Sequence, residues 1–124
     1  MYMDIKIINE EFAICKLEAM KGINFEDPFC FIGKTDEEIS LVCTEKNIPE
    51  KTLSCDLGWK AFRIEGELDF SLVGILSKIS ALLAEQKIGI FAISTYNTDY
   101  ILTKKEQYSL AIKILKDNGY QIVV

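Results

Sequence analysis

An α+β fold is expected for this chain, on three observations. Residues 58–124 carry six segments whose apolar spacing switches between the period of strands and that of helices. Two helical stripes fall among those segments. Residues 1–55 carry strand-like spacing, with no helical stripe of similar length. The expected organisation is a mainly β half at residues 1–55 and a complete α+β half at 56–124, packed as one compact unit. A chain of 124 residues has material for one such core.

In the first half, residues 5–8 and 12–17 read as strands joined near Asn9-Glu10. The span 18–27 is too short for a full helix. Phe29 to Ile32 and Ile39 to Val42 are apolar runs around the acidic corner Asp36-Glu37-Glu38, a hairpin pattern. Residues 48–55, with Pro49 and several polar side chains, read as the connection between halves. Laying residues 29–42 over 90–103 without a gap sets Ile32 on Ile93, Glu38 on Asp99 and Leu41 on Leu102. The first half thus reads as a reduced copy of the second.

In the second half, residues 59–65 alternate and are rich in β-formers (Trp59, Phe62, Ile64), with Gly58 and Gly66 as punctuation. Residues 71–86 place Leu72, Ile75, Leu76, Ile79, Leu82 and Leu83 on one helical stripe. Residues 88–95 form an apolar strand, and 98–103 return across a corner at Tyr96-Asn97. A second helix begins near Lys104, because Thr103-Lys104-Lys105-Glu106 fits a capping box. Its face is Tyr108, Ala111, Ile112 and Leu115, and Asn118-Gly119 supplies the stop. Residues 120–124 close as a strand. The order βαββαβ is the ferredoxin-like plan, a sheet with both helices on one face.

Composition narrows the function. Hydrophobic residues make up 49% and charged residues 27%, the balance of a soluble globular chain. No apolar run approaches a membrane span, and Met1-Tyr2-Met3-Asp4 lacks the pattern of a secretory signal, so a cytoplasmic protein with no membrane partner is expected. Lysine and arginine total 14 against 19 acids, a net charge of −5 that repels phosphate backbones, so nucleic acid is not an expected partner. The four cysteines (Cys15, Cys30, Cys43, Cys55) lack the close pairing of zinc sites and read as reduced, apolar packing residues. With no histidine and no glycine-rich phosphate loop, neither catalysis nor a cofactor or metal is expected.

One place combines groups suited to a small zwitterion. The opening turn of the helix at Ser71 offers backbone N–H groups around Phe70, Ser71 and Leu72 that lack intrahelical partners and carry partial positive charge. A carboxylate can accept from them. An ammonium needs acceptors, which Asp69, Asp99 or the corner carbonyls supply. Gly74 permits close approach of a neighbouring backbone. Plainer roles stand beside these: Asp69 or Ser71 as a helix cap, Asn97 and Thr98 as turn residues, Trp59 and Tyr96 as packing aromatics.

The strings from Gly66 to Leu76 and from Ile90 to Leu102, with Gly58-Trp59 before them, resemble the ACT-domain family that includes the animal arginine sensors. They are also similar, more distantly, to the regulatory tails of aspartate kinases. Phe31 to Cys43 and Ile48-Pro49 match more loosely. The resemblance implies a ferredoxin-like ACT domain at 58–124 fused to a reduced ACT-like half. It implies an amino acid bound between the loop Leu68-Asp69-Phe70-Ser71 and the corner Ser94-Thr95-Tyr96-Asn97-Thr98-Asp99. The expected function is therefore a non-catalytic amino-acid sensor or regulatory module. It would form a homodimer and act on a regulated protein that the sequence does not identify. The alternative is an interaction module without a functional ligand site.

Overall fold

A computed structural model of the chain describes residues 4–65 and 74–124. The elements run β1 (Asp4–Leu17), β2 (Phe31–Lys34), β3 (Ile39–Thr44), a single 3₁₀ turn (Glu45–Asn47), β4 (Ser54–Glu65), α1 (Ile75–Glu85), β5 (Phe91–Ser94), β6 (Asp99–Lys104), α2 (Lys105–Asp117) and β7 (Gln121–Val123). This is the α+β, ACT-like architecture expected. Two compact units divide the chain: Met1–Asn9 with Lys60–Val124, and Glu10–Trp59. The long strands β1 and β4 each give residues to both.

In the unit containing Lys60–Val124, the strands lie in the order β7, β1, β4, β6, β5. Their inward side chains meet both helices. Ile5, Phe62, Ile64 and Ile101 from the strands pack with Ile79 and Leu83 of α1 and with Tyr108, Ala111 and Leu115 of α2. Phe62 and Ile64 flank Arg63, so one face of β4 enters this core and the other does not, as the period of a strand requires. Full burial of a side chain the size of Phe62 or Leu83 contributes about 1.5–3 kcal/mol. Tyr108 adds a buried bond, its hydroxyl donating to the Ala61 carbonyl at 2.6 Å. The Tyr108 phenol is pushed up to about 12 by that burial.

The place of β1 in this unit was not legible in the sequence. Asp4, Ile5 and Lys6 pair in parallel with Gln121, Ile122 and Val123. The closing strand thus lies on β1, and β1 separates it from β4, the first strand of the βαββαβ series.

The unit Glu10–Trp59 orders its strands β2, β3, β1, β4. Ala13, Cys15, Leu17, Leu41 and Cys43 form its core, with Ile23, Cys30, Ile32, Ile39, Ile48 and Cys55 packed around them. Asp27 ties its connecting segments together. One carboxylate oxygen accepts from the Phe29 N–H at 2.9 Å, and the other from the Thr44 N–H at 3.1 Å and hydroxyl at 2.8 Å.

Several expectations are corrected. Residues 5–8 and 12–17 are one strand, not two. Asn9-Glu10-Glu11 includes nothing that breaks extended backbone, and Glu10 stays on the strand beside Lys46 at 3.6 Å. Residues 54–58, read as connection and punctuation, already belong to β4. Gly58 sits inside it at a φ of 81°, its N–H held by Glu45 Oε2 at 2.8 Å. The helix expected from Ser71 is described from Ile75, with Gly74 as its N-cap at a φ of 85°; residues 71–73 lie outside the described residues. The capping box at Thr103 does not form: Thr103 is wholly buried on β6, and α2 opens behind Lys104 with no side-chain cap.

The two hairpins share their register, one residue away from the alignment expected. Phe31–Lys34 and Ile39–Thr44 correspond to Phe91–Ser94 and Asp99–Lys104, sixty positions apart, and the pairings Lys34 with Ile39 and Ser94 with Asp99 coincide. Glu38 therefore matches Thr98, and Asp99 matches Ile39. The 3₁₀ turn at Glu45–Asn47 begins where α2 begins in the longer copy.

Candidate functional site

The corner between β5 and β6 is built by two threonines. The Thr95 N–H donates to the Thr98 carbonyl at 2.8 Å, and the Thr95 hydroxyl donates to the same oxygen at 2.9 Å while accepting from the Thr98 N–H at 3.3 Å. Thr98 is buried, and its hydroxyl donates to the Ile64 carbonyl at 2.5 Å. That bond fastens the corner to β4 one residue before Glu65, the last described residue of the strand.

On this frame, Ser94 and Asp99 oppose one another across the strands, and the Ser94 hydroxyl donates to Asp99 Oδ1 at 2.5 Å. Ile101, two residues further along β6, lies in the core beneath the helices. By strand period, Asp99 and Ser94 project from that same helix-bearing face. Tyr100 projects from the other, where Arg63, the chain's single arginine, donates from Nη1 to the Tyr100 hydroxyl at 3.1 Å and from Nε to Glu65 Oε2 at 2.9 Å. These two bonds, Glu65 foremost, raise the Arg63 guanidinium above its usual value. Its charge is thus committed away from the Asp99 face. Ser94, Thr95, Tyr96 and Asn97 are exposed, Tyr96 most of all at 84%.

The structure thus brings together Ser94, Thr95, Asn97, Thr98 and Asp99, with Tyr96 at the tip. Leu68, Asp69, Phe70, Ser71 and Leu72 lie outside the described residues. Among the described residues, the first bond of the helix is Lys78 N–H to the Gly74 carbonyl at 2.9 Å, with the N–H groups of Ile75, Leu76 and Ser77 ahead of it. Gly74 is the N-cap, and a side chain there would meet nothing within 4 Å. Among the described residues nothing approaches it closely, and its backbone is left-handed. Trp59 belongs to the other unit. Sequence reasoning missed the anchoring of the corner by the Ile64 carbonyl; the exposed-to-buried step from Asn97 to Thr98 has no signature in residue type. A carboxylate, hydroxyl and amide at one rim can accept from a cation and offer weak donors to an anion.

Comparison with known proteins agrees with this architecture. A family model described as the ACT domain matches residues 54–117, and the chain belongs to the ACT-domain family. A second model, of an N-terminal domain, matches residues 10–51. Among solved structures, a protein from Agrobacterium tumefaciens is similar at 28% identity and a TM-score of 0.85, over 99% of this chain and 93% of that one. A protein of unknown function from Vibrio cholerae, described as a possible transport protein, shares the fold at 16% identity and a TM-score of 0.72, over 93% and 88%. Aspartate kinase from Clostridium acetobutylicum does so at 14% identity and a TM-score of 0.66, over 87% of this chain but 33% of the kinase. No curated protein matches the chain. Among the described residues, no helix is long and apolar enough to cross a membrane.

Proposed function

We propose that this protein is a non-catalytic regulatory ACT module that binds a free amino acid at the corner 94–99. The observation that carries the reading is the pairing of Ser94 and Asp99 on the helix-bearing face, at a corner anchored to the end of β4. Asp99, with its second oxygen and the exposed corner around Asn97, receives the ligand's ammonium. The carboxylate is taken by N–H groups at the entrance to α1, and Leu68, Asp69, Phe70, Ser71 and Leu72 complete the site. The division at 1–55 and 56–124 is proposed as a reduced and a full ACT unit, supported by the coincident hairpins sixty residues apart. In its finer form the reading likens the chain to the animal arginine sensors. It acts in the cytoplasm as a homodimer, on a regulated protein yet to be identified.

A thermal-shift screen of the common amino acids tests this. Ligand at about 100 times its Kd stabilises the folded chain by roughly 2.7 kcal/mol, a rise of several degrees in Tm. Asp99→Ala abolishes the response and leaves the unliganded Tm close to wild type. Silence across the screen and in calorimetry ends the ligand reading. A second reading, an interaction module without a ligand, is favoured by one observation: the Ser94 hydroxyl already occupies one Asp99 oxygen.

A further inference from the structure

All four cysteines fall in the unit Glu10–Trp59. Cys15 and Cys43 are buried in its core and Cys55 packs against them, half-buried. Cys15 stands on β1 and Cys55 on β4, strands that neighbour one another in this unit. Their sulfurs are 3.2 Å apart. A disulfide needs about 2.05 Å, so side-chain rotation over about 1 Å closes the gap. Neighbouring strands lie about 4.7–4.9 Å apart, within the Cα span of about 4.4–6.8 Å that a disulfide bridges.

We propose that Cys15 and Cys55 form an oxidisable dithiol, a modification site for small peroxides that closes an intrachain disulfide between β1 and β4. The partially accessible Cys55 reacts first. Its sulfur attacks a peroxide oxygen, the O–O bond breaks, and the departing oxygen takes the thiol proton and leaves as water from hydrogen peroxide or as an alcohol from an organic peroxide; Cys55 becomes a sulfenic acid. The Cys15 sulfur then displaces the sulfenic hydroxyl, the S–O bond breaks, the S–S bond forms, and water carries off the Cys15 proton. Two electrons pass from the sulfur pair to the peroxide. Burial, followed by the hydrogen bond to Cys55, pushes the Cys15 thiol up, which disfavours it as the first attacker; its place in the second step rests on its 3.2 Å distance from the Cys55 sulfur. Cys43 also hydrogen-bonds Cys15, but it is pushed up to about 11 by burial and then by the Asp27 charge, is buried where Cys55 is half-buried, and lies opposite Ala13 rather than Cys15 in the β1–β3 register. It remains a packing residue, as does Cys30.

The test is hydrogen peroxide treatment of the intact protein, followed by whole-chain mass measurement and peptide mapping without reductant. The expected result is loss of two hydrogens per chain, reversed by dithiothreitol, with Cys15 linked to Cys55. The oxidised protein melts several degrees higher, because the bridge closes residues 15–55 into a loop. Cys55→Ser abolishes the loss and Cys30→Ser preserves it. An unchanged mass, added oxygen without a bridge, a link through Cys30 or Cys43, or chains joined to one another overturns the proposal. Mapping of the wild-type chain decides the matter even if a variant fails to fold.

Discussion

Lys87 holds a backbone conformation that the matching position after α2 gives to glycine. Both helices end in the same way. The Ile88 N–H returns to the Leu83 carbonyl at 3.0 Å after α1, and the Tyr120 N–H to the Leu115 carbonyl at 3.1 Å after α2. Each ending needs a left-handed residue, supplied by Lys87 at a φ of 59° and Gly119 at 96°. Lys87→Gly relieves the Cβ clash and should stabilise by about 0.5–1 kcal/mol, and Gly119→Ala should cost about 1 kcal/mol, both read by urea denaturation. Asp27 makes a prediction of different kind. Its burial alone favours the neutral acid, but bonds from Phe29, Thr44 and Asn47 outweigh that and hold its carboxyl below the usual range. A depressed folded value means the stabilisation is present at neutral pH and is lost as pH falls through that folded value. Asp27→Ala should cost about 2 kcal/mol at pH 7, by leaving the Thr44 and Phe29 donors unmet. Between wild type and variant, the gap should narrow below about pH 4.

The elements show where the sequence speaks and where it does not. Both hairpins were legible, because apolar runs around a short polar corner leave a chain few other arrangements. The stripes of α1 and α2 were legible for the same reason, through Ile79 and Leu83 or Tyr108, Ala111 and Leu115. Boundaries were not. Thr103 looks like a helix cap by type, yet β6 needs it as a buried strand residue, and burial is a property of the assembled core. Asn9-Glu10 looks like a turn, yet nothing in it requires one. Half of the candidate site, Ser94 to Asp99, could be read as a unit; that Thr98 is its anchor could not, since turn threonines are usually exposed. Thr98→Val keeps the shape and removes the bond to the Ile64 carbonyl. It should cost about 1–2 kcal/mol and weaken any ligand response, whereas Asp99→Ala removes the response alone. Equal destabilisation by both variants would sink the distinction between anchor and ligand residue.

At the scale of the molecule, the proposed homodimer rests on strand edges. Among the described residues, the strand order ends at β2 in Glu10–Trp59 and at β5 and β7 in the other unit. Unpaired edges recruit strands from other chains unless charge or twist prevents it. Two-fold pairing is the commonest closed solution. Sedimentation at high micromolar concentration should give a dimer, with or without amino acids; a monomer under both conditions contradicts it. Lys34→Pro and Ala92→Pro, on β2 and β5 respectively, and Ile122→Pro on β7 test which edge is used: only the variant on the joining edge shifts the equilibrium toward monomer.

The pairing of β1 with β7 bears on how the chain comes to be folded at all. Glu10–Trp59 is continuous in sequence, so its contacts can close as soon as that stretch is free to collapse. The other unit joins residues 4–6 to residues 121–123, and its sheet cannot be completed until nearly the whole polypeptide is present. Such distant closure carries the loop entropy that slows folding. During synthesis the smaller unit is therefore positioned to form first, while β4 waits with one end structured and the other unpaired. The segment that carries the proposed amino-acid site belongs to the part that matures last, so a chain cut short near its end loses ligand recognition before it loses all structure.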